Sequence, residues 1–462
     1  MATNPPDDSQ DNTPDKNPDD SGAGDAQNPF AGTPMEQMFQ AFSGGQMPDM
    51  NVIMSQMQRM FAPHDGSVNW ELATEIARHT VAQSPDPSVT TADSGAVSDA
   101  VRLAELWLDA ATSIPAGATT SAAWSRAEWI EATAPTWRTL VEPIAEHVVG
   151  AMSEAVPEEA KQMAGPLVGF LGQAGGAMFG QQIGRALGEL ATEVVSTTDV
   201  GLPLGPERVA AILPRNVKEF GEGLGVTPTD VTLYLVLREC AHHRLFAHAP
   251  WLRARLVGAV EEFGRGTKID MSRIEESMRD IDPSNPNAIN EALSGGLFEP
   301  TRTAAQQSAL DRLELLLALV EGWVDEVVSQ ATAERMPAAT SLREAVRRRR
   351  AAGGPAEATF ASLVGLELRP RRLRDAAHLW AALRDRNGAD ARDAVWAHPD
   401  LLPSAADLDD PLGFATDGDT RADDDDFDAA LADLLDSADQ PPSDDDPADN
   451  EPDDGESGTS GA

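Results

Sequence analysis

Hydrophobic positions in the middle of the chain recur mostly every three or four residues, the spacing of the buried face of an α-helix. The pattern predicts helices at about 69–82, 95–113, 125–134, 136–153 and 158–195, and a further helix that begins near Thr227. Runs of alternating β-branched residues, which would indicate strands, are few. We therefore predict an all-α, predominantly helical fold.

Local signals refine three of these helices. Ser125 and Glu128 form a capping-box pattern, which predicts a helix start, and Pro135 is predicted to separate two helices.

Glycine recurs every four residues from Gly172 to Gly188, which lets a second backbone approach closely. Such a face occurs in membrane-inserting glycine zippers and in tightly packed soluble helices, and the polar Gln173, Gln181, Gln182 and Arg185 favour the second interpretation.

Composition divides the chain into four segments. Residues 1–32 and 407–462 form acidic tails that cannot bury enough apolar surface to offset their chain entropy. Residues 1–27 carry a net charge of −6 and residues 407–462 one of −20, out of −41 for the chain. We predict disordered tails, a Met-rich helical hairpin at 33–64 and a helical domain at 65–406.

The Met-rich hairpin holds seven of the 14 methionines. Methionine surfaces adapt to varied partners, so the hairpin could dock a partner, or it could pack on the main domain. The hairpin and the glycine-lined helix would each serve for self-association.

Compartment and partners follow from what the sequence lacks. One cysteine, Cys240, excludes a disulfide framework within the chain and suits a reducing compartment. We see no secretory signal and no uninterrupted apolar run long enough to span a membrane. The acidic excess disfavours nucleic acid and anionic membranes as partners. We predict a cytoplasmic protein that does not bind membranes.

The predicted helix from Thr227 carries the chemistry. Zinc hydrolases of the H-E-x-x-H type place two histidines four residues apart on one helix face, with a glutamate beside the metal-bound water as general base. Here Glu239 and His242 match the glutamate and the second histidine, whereas Arg238 stands where the first histidine would be. Arginine remains protonated and has no lone pair for a metal.

A longer set of motifs follows this helix: residues 248–253, 319–325, 347–350, 363–369 and 395–403. Together with the helix, over roughly residues 120–414, they resemble the zincin-like family, whose members are expected to be zinc-dependent metallopeptidases. The resemblance implies a zinc-dependent hydrolase acting on peptide or protein substrates, with Glu239 as base. Some relatives are associated with biosynthesis of a deazaflavin coenzyme, which adds a weaker possibility by analogy alone.

The resemblance also implies a second metal-site motif, Glu-Gly-His. Glu321-Gly322 matches it, and Trp323 replaces its histidine. We therefore predict His242 and Glu321 as metal ligands. Two other residues remain open as the third metal ligand in place of Glu321. His248 lies six residues after His242, although Leu245 stands where a glycine would be needed to turn the chain. Glu262 lies 20 residues after His242, and its alternative role is a surface charge.

The arginine at position 238 suggests a different hypothesis. Its guanidinium could replace the metal as the cation of the site and bridge Glu239 or Glu321. The alternative function is then a catalytically inactive zincin-like protein, a pseudoenzyme that binds a partner or acts as a scaffold.

Basic residues concentrate between 343 and 374, including the run Arg347–Arg350. They could form an anion or nucleic-acid patch, although aromatic side chains for stacking on bases are nearly absent. They could instead pair with acidic faces of the same fold, or be shielded by the acidic C-terminal tail.

Overall fold

The computed structural model describes residues 66–154, 165–265, 303–351, 359 and 372–416. The predicted N-terminal tail, the Met-rich hairpin and the C-terminal tail beyond Thr416 lie outside these residues.

Helices account for most of the described chain, and the predicted all-α class is confirmed. They are α1 (Trp70–Ala82), α2 (Thr91–Leu108), α3 (Arg126–Glu154), α4 (Gly165–Glu193), α5 (Pro214–Gly221), α6 (Pro228–His248), α7 (Pro250–Arg265), α8 (Ala304–Thr332), α9 (Ala339–Ala351) and α10 (Leu373–Ala394), followed by 3₁₀ turns at Val395–Ala397 and Pro399–Leu401. Two short strands, β1 (Thr120–Ala123) and β2 (Val209–Ile212), accompany them. In the part of the chain described, no helix has the length and apolar character that crossing a membrane requires.

The two strands fix the segment that connects α4 to α5. They pair in parallel, with Thr120 opposite Val209 and Ala123 opposite Ile212. Ser196 makes one antiparallel bridge to Ile212. Because the segment after α4 is held in this way, its next residues, Thr197 and Thr198, reach the side of α6.

The glycine face of α4 packs directly against α1. A Cβ atom at Gly184 would lie 2.5 Å from the carbonyl oxygen of Ala73, and one at Gly180 would lie 2.5 Å from that of Asn69. Only a residue without a side chain permits this approach. For the glycines described, the structure confirms the interpretation as tight packing within the fold.

The prediction that Pro135 separates two helices is wrong, because α3 runs unbroken from Arg126 to Glu154 with Pro135 inside it. The predicted start is correct: Ser125 and Glu128 exchange backbone-to-side-chain hydrogen bonds of 2.7 and 3.2 Å. Trp129 and Trp137, on either side of the proline, are completely buried. Their packing offsets the loss of one helical hydrogen bond.

The core is built around α6 and α8. Nearly every residue of α6 from Val231 to Leu245 is buried, and so is every residue of α8 from Leu316 to Val328. A helix buried on all sides is normally apolar, yet these two carry charged side chains. Buried charges require partners, and those partners define the candidate site.

Candidate metal centre

Helix α6 begins as the sequence predicts. Thr227 caps it by accepting a hydrogen bond from the backbone N–H of Asp230 at 3.1 Å, and Pro228 occupies the first turn. Arg238, Glu239 and His242 lie in its buried part, where these residues are 6 %, 1 % and 1 % exposed respectively. Water therefore solvates them very little, and protein groups must satisfy their charges.

Glu321, on α8, is the centre of the cluster. Arg238 donates from Nη2 to Oε2 at 2.5 Å, and the Nη2 of Arg350, from α9, lies 2.7 Å from Oε1. His242 Nε2 lies 3.0 Å from the same Oε1. Of the two carboxylates that the sequence leaves open as partners of Arg238, Glu239 and Glu321, it is Glu321 that Arg238 contacts. We call these four residues the Glu321 cluster.

The charges around Glu321 keep its carboxylate ionised. Burial alone would raise its pKa, but the opposing charges of Arg350, His242 and Arg238 outweigh burial and hold the pKa well below its ordinary range. Both guanidinium groups remain charged, so the contacts are charge-assisted.

His242 is oriented by its own helix. Its Nδ1–H donates to the backbone carbonyl of Arg238 at 2.8 Å, which directs Nε2 to Glu321. Histidine ligands of metals are commonly fixed in this way, with one ring nitrogen held by a carbonyl and the other free to bind. Here Nε2 faces a carboxylate, so that contact is a hydrogen bond only when Nε2 also carries a proton.

Glu239 is engaged by a separate set of donors. The hydroxyls of Thr197 and Thr198 donate to its two oxygens, the backbone N–H of Thr198 donates at 3.1 Å, and His243 Nε2 lies 3.1 Å away. Burial opposes ionisation of Glu239, but the hydrogen bond and charge of His243, with hydroxyls of the 196–197 segment, lower its pKa to about 2. A general base works best when its pKa is near the working pH, and this carboxylate is far from that.

Four of the arginines of α9 are paired with acidic or carbonyl groups of the same fold. Arg343 and Arg347 both donate to Asp325 Oδ2, each at 2.5 Å. Arg349 donates to Asp199 at 2.8 Å, and Arg350 belongs to the Glu321 cluster. These contacts support internal pairing as the role of this part of the basic segment.

Trp323, which stands where the resemblance implies a histidine, faces away from the Glu321 cluster. Its Nε1–H donates to Asp393 at 3.0 Å, and its ring is completely buried beside Trp396. Between it and Glu321, Gly322 packs on α10, where a Cβ atom would lie 2.6 Å from the Cβ of Ala376. Trp323 therefore belongs to the contact between α8 and α10.

The two other candidate ligands lie on the surface. His248 is exposed at the end of α6. Glu262 is exposed on α7, where it pairs with Arg312 of α8. Neither joins the Glu321 cluster through any contact that the described residues show, and Glu321 is the candidate that meets His242.

The Glu321 cluster does not fit a zinc ion. Catalytic zinc takes three protein ligands with lone pairs, and the cluster offers two, from His242 and Glu321, together with two guanidinium groups. Among the residues described, no group of three or more His, Cys, Asp or Glu side chains is arranged to hold a metal ion. Surface grooves along α1 and α3 contain none of the cluster residues.

Thr197, Thr198 and His243 were not predicted as partners of Glu239, and Arg350 was not predicted as a partner of Glu321. The four-residue spacing of Glu239 and His243 was an available signal, because it places both side chains on one helix face. The contacts from Thr197 and Thr198 depend on the path of the segment after α4, which no local pattern reveals.

Comparison with known proteins agrees with this architecture. A model of the zincin-like metallopeptidase family matches residues 68–415. The chain therefore belongs to the zincin-like metallopeptidase family, and the resemblance stated above is confirmed.

A solved structure shares the fold. It is a provisionally assigned hydrolase with a novel fold from Chloroflexus aurantiacus, 21% identical, with a TM-score of 0.55 over 76% of this chain and 99% of that one. At this identity the likeness shows the fold alone. No curated protein matches the chain.

Proposed function

We propose that this chain is a zincin-like protein with a degenerate metal site, which acts by binding a partner or as a scaffold and not as a zinc peptidase. The observation that carries the proposal is the engagement of both oxygens of Glu321 by guanidinium groups, Arg238 on Oε2 and Arg350 on Oε1. A zinc ion would have to displace a cation that is part of the chain.

The state of Glu239 supports the same proposal. Its carboxylate accepts hydrogen bonds from the 197–198 segment and His243, and it is almost completely buried. A zinc peptidase needs this carboxylate next to a metal-bound water and an incoming peptide. Access to it would require the 197–198 segment to move.

The test is the metal content of the full-length protein, purified without a metal-affinity tag. After incubation with zinc and removal of excess ion, we expect far less than one zinc per chain by mass spectrometry. The melting temperature should be the same with and without a chelator. Stoichiometric zinc, or a melting temperature that the chelator lowers, would refute the proposal.

The orientation of His242 favours a second candidate function, a zinc-dependent hydrolase of peptide bonds. In that function Glu239 is the general base, and His242 and Glu321 are zinc ligands. The support is the hydrogen bond from Nδ1 to the carbonyl of Arg238, which leaves Nε2 directed to Glu321, together with membership of the family.

This second function requires peptide hydrolysis that depends on added zinc and is lost in Glu239→Gln. Glu262→Gln is the matched control, because it removes a carboxylate from an exposed ion pair. Hydrolysis that survives in Glu239→Gln would come from a contaminating peptidase and would count against this candidate.

A further inference from the structure

Two guanidinium groups and an imidazole, from two helices, converge on one carboxylate of a third helix in the core. Arg238 and His242 come from α6, Glu321 from α8 and Arg350 from α9. The side chain of Glu321 is completely buried, so its partners perform the neutralising task that a bound cation performs in many buried acidic sites.

The distances inside the cluster resemble those around a metal ion. Zinc binds imidazole nitrogen at about 2.0–2.1 Å and carboxylate oxygen at about 2.0–2.2 Å. Two such ligands at a tetrahedral angle are roughly 3.3 Å apart, a separation that follows from those bond lengths. His242 Nε2 and Glu321 Oε1 are 3.0 Å apart, which is close to that separation.

Residue 238 is well placed to supply the missing ligand. It lies one helical turn before His242, so both side chains project from one face of α6. Its carbonyl oxygen accepts from the His242 ring, which fixes the backbone of 238 relative to that ring. Its present side chain already reaches Glu321 Oε2 at 2.5 Å.

We propose that the guanidinium of Arg238 is a built-in replacement for a divalent cation, and that the Glu321 cluster is a latent metal site in which residue 238 supplies a charge where a metal site needs a lone pair. Arg350 would remain hydrogen-bonded to the carboxylate as a partner outside the ligand set. The inference rests on the proposed function in one respect, that the natural chain binds no zinc.

The experiment compares substitutions at 238 that differ in the presence of a lone pair. Arg238→His and Arg238→Cys supply a ligand, whereas Arg238→Gln removes the charge and supplies an amide, a poor zinc ligand. Arg348→His controls for surface histidine, because Arg348 is exposed on α9. Each full-length protein is made without a metal-affinity tag, incubated with zinc or cobalt(II) and freed of excess metal.

We expect one zinc per chain in Arg238→His and Arg238→Cys, with the strong visible absorption of tetrahedral cobalt(II) when that ion is used. Zinc should raise their melting temperatures by several degrees and leave those of the natural chain, Arg238→Gln and Arg348→His unchanged. Adding Glu321→Gln to Arg238→His should abolish zinc uptake.

Three results would overturn the inference. They are a zinc content in both ligand variants no higher than in Arg238→Gln, zinc uptake by Arg238→His that survives Glu321→Gln, and failure of both ligand variants to fold while Arg238→Gln folds. Stoichiometric zinc in the natural chain is a different result, since it refutes the proposed function and removes the premise.

Discussion

Replacing Glu321 with glutamine should be among the most damaging single changes that the described core allows. The substitution keeps the shape of the side chain and removes its charge, which leaves the buried Arg238 and the partly buried Arg350 without their shared carboxylate. Removing one partner of a buried ion pair costs about 3–5 kcal/mol. We expect a decrease of that size in the free energy of unfolding, measured by urea denaturation with circular dichroism and tryptophan fluorescence.

A double-mutant cycle separates this effect from a general loss of packing. In an Arg238→Met background, one of the two stranded cations is absent, so Glu321→Gln should destabilise the protein less, with a coupling energy of about 1–3 kcal/mol. Glu262→Gln is the matched control, because its pairing with Arg312 is exposed and worth about 0–1 kcal/mol. If Glu321→Gln were no more damaging than Glu262→Gln, the reasoning about the buried cluster would be refuted.

Three further predictions concern packing, acid stability and the contact between α8 and α10. Gly184→Ala should destabilise the protein by about 1–3 kcal/mol, because the new methyl group meets the Ala73 carbonyl; Gly95→Ala, with open space around it, should stabilise it by about 0.4–1 kcal/mol, and equal effects would contradict the packing argument. The pKa of Glu239 is lowered from 4.5 to about 2, so its contribution of roughly 3 kcal/mol is complete above pH ~4.5 and is lost as the pH falls towards 2. The free energy of unfolding, measured by urea titration at each pH, should depend less steeply on pH in Glu239→Gln than in the natural chain. The same pH dependence in both proteins would count against the lowered pKa. Trp323→Phe should destabilise by about 2–3 kcal/mol, because it removes the donor to Asp393 and some buried ring volume; a loss below about 0.5 kcal/mol, as at a surface site, would show that this hydrogen bond contributes little.

The parts of the site that local sequence could predict are those that one helix determines. The start of α6 follows from the Thr227 cap and Pro228, and the common face of Arg238 and His242 follows from their four-residue spacing. Pairing of Arg238 with a carboxylate could also be predicted, because a buried arginine requires one, but the sequence left Glu239 and Glu321 both open as the partner.

Contacts that depend on distant segments could not be predicted. Thr197 is 42 residues from Glu239 along the chain, and its position depends on the strand pairing and on the bridge from Ser196 to Ile212. The local rule for Pro135 failed for a related reason. Burial of Trp129 and Trp137 on one continuous helix outweighs the missing hydrogen bond, and burial is a property of the whole fold.

The two carboxylates that a zinc hydrolase would use are both held in closed sets of donors. Glu321 has two guanidinium groups and an imidazole, and Glu239 has two threonines and His243. Desolvation makes such clusters expensive, and apolar residues of similar volume often stabilise a core as well or better. Stability alone is therefore a weak reason for this chain to keep them. Directional contacts join α6, α8 and α9 through one carboxylate. Such contacts specify the relative placement of the three helices more narrowly than apolar packing does. The charge cluster can then preserve the geometry of a zincin-like core without a metal ion.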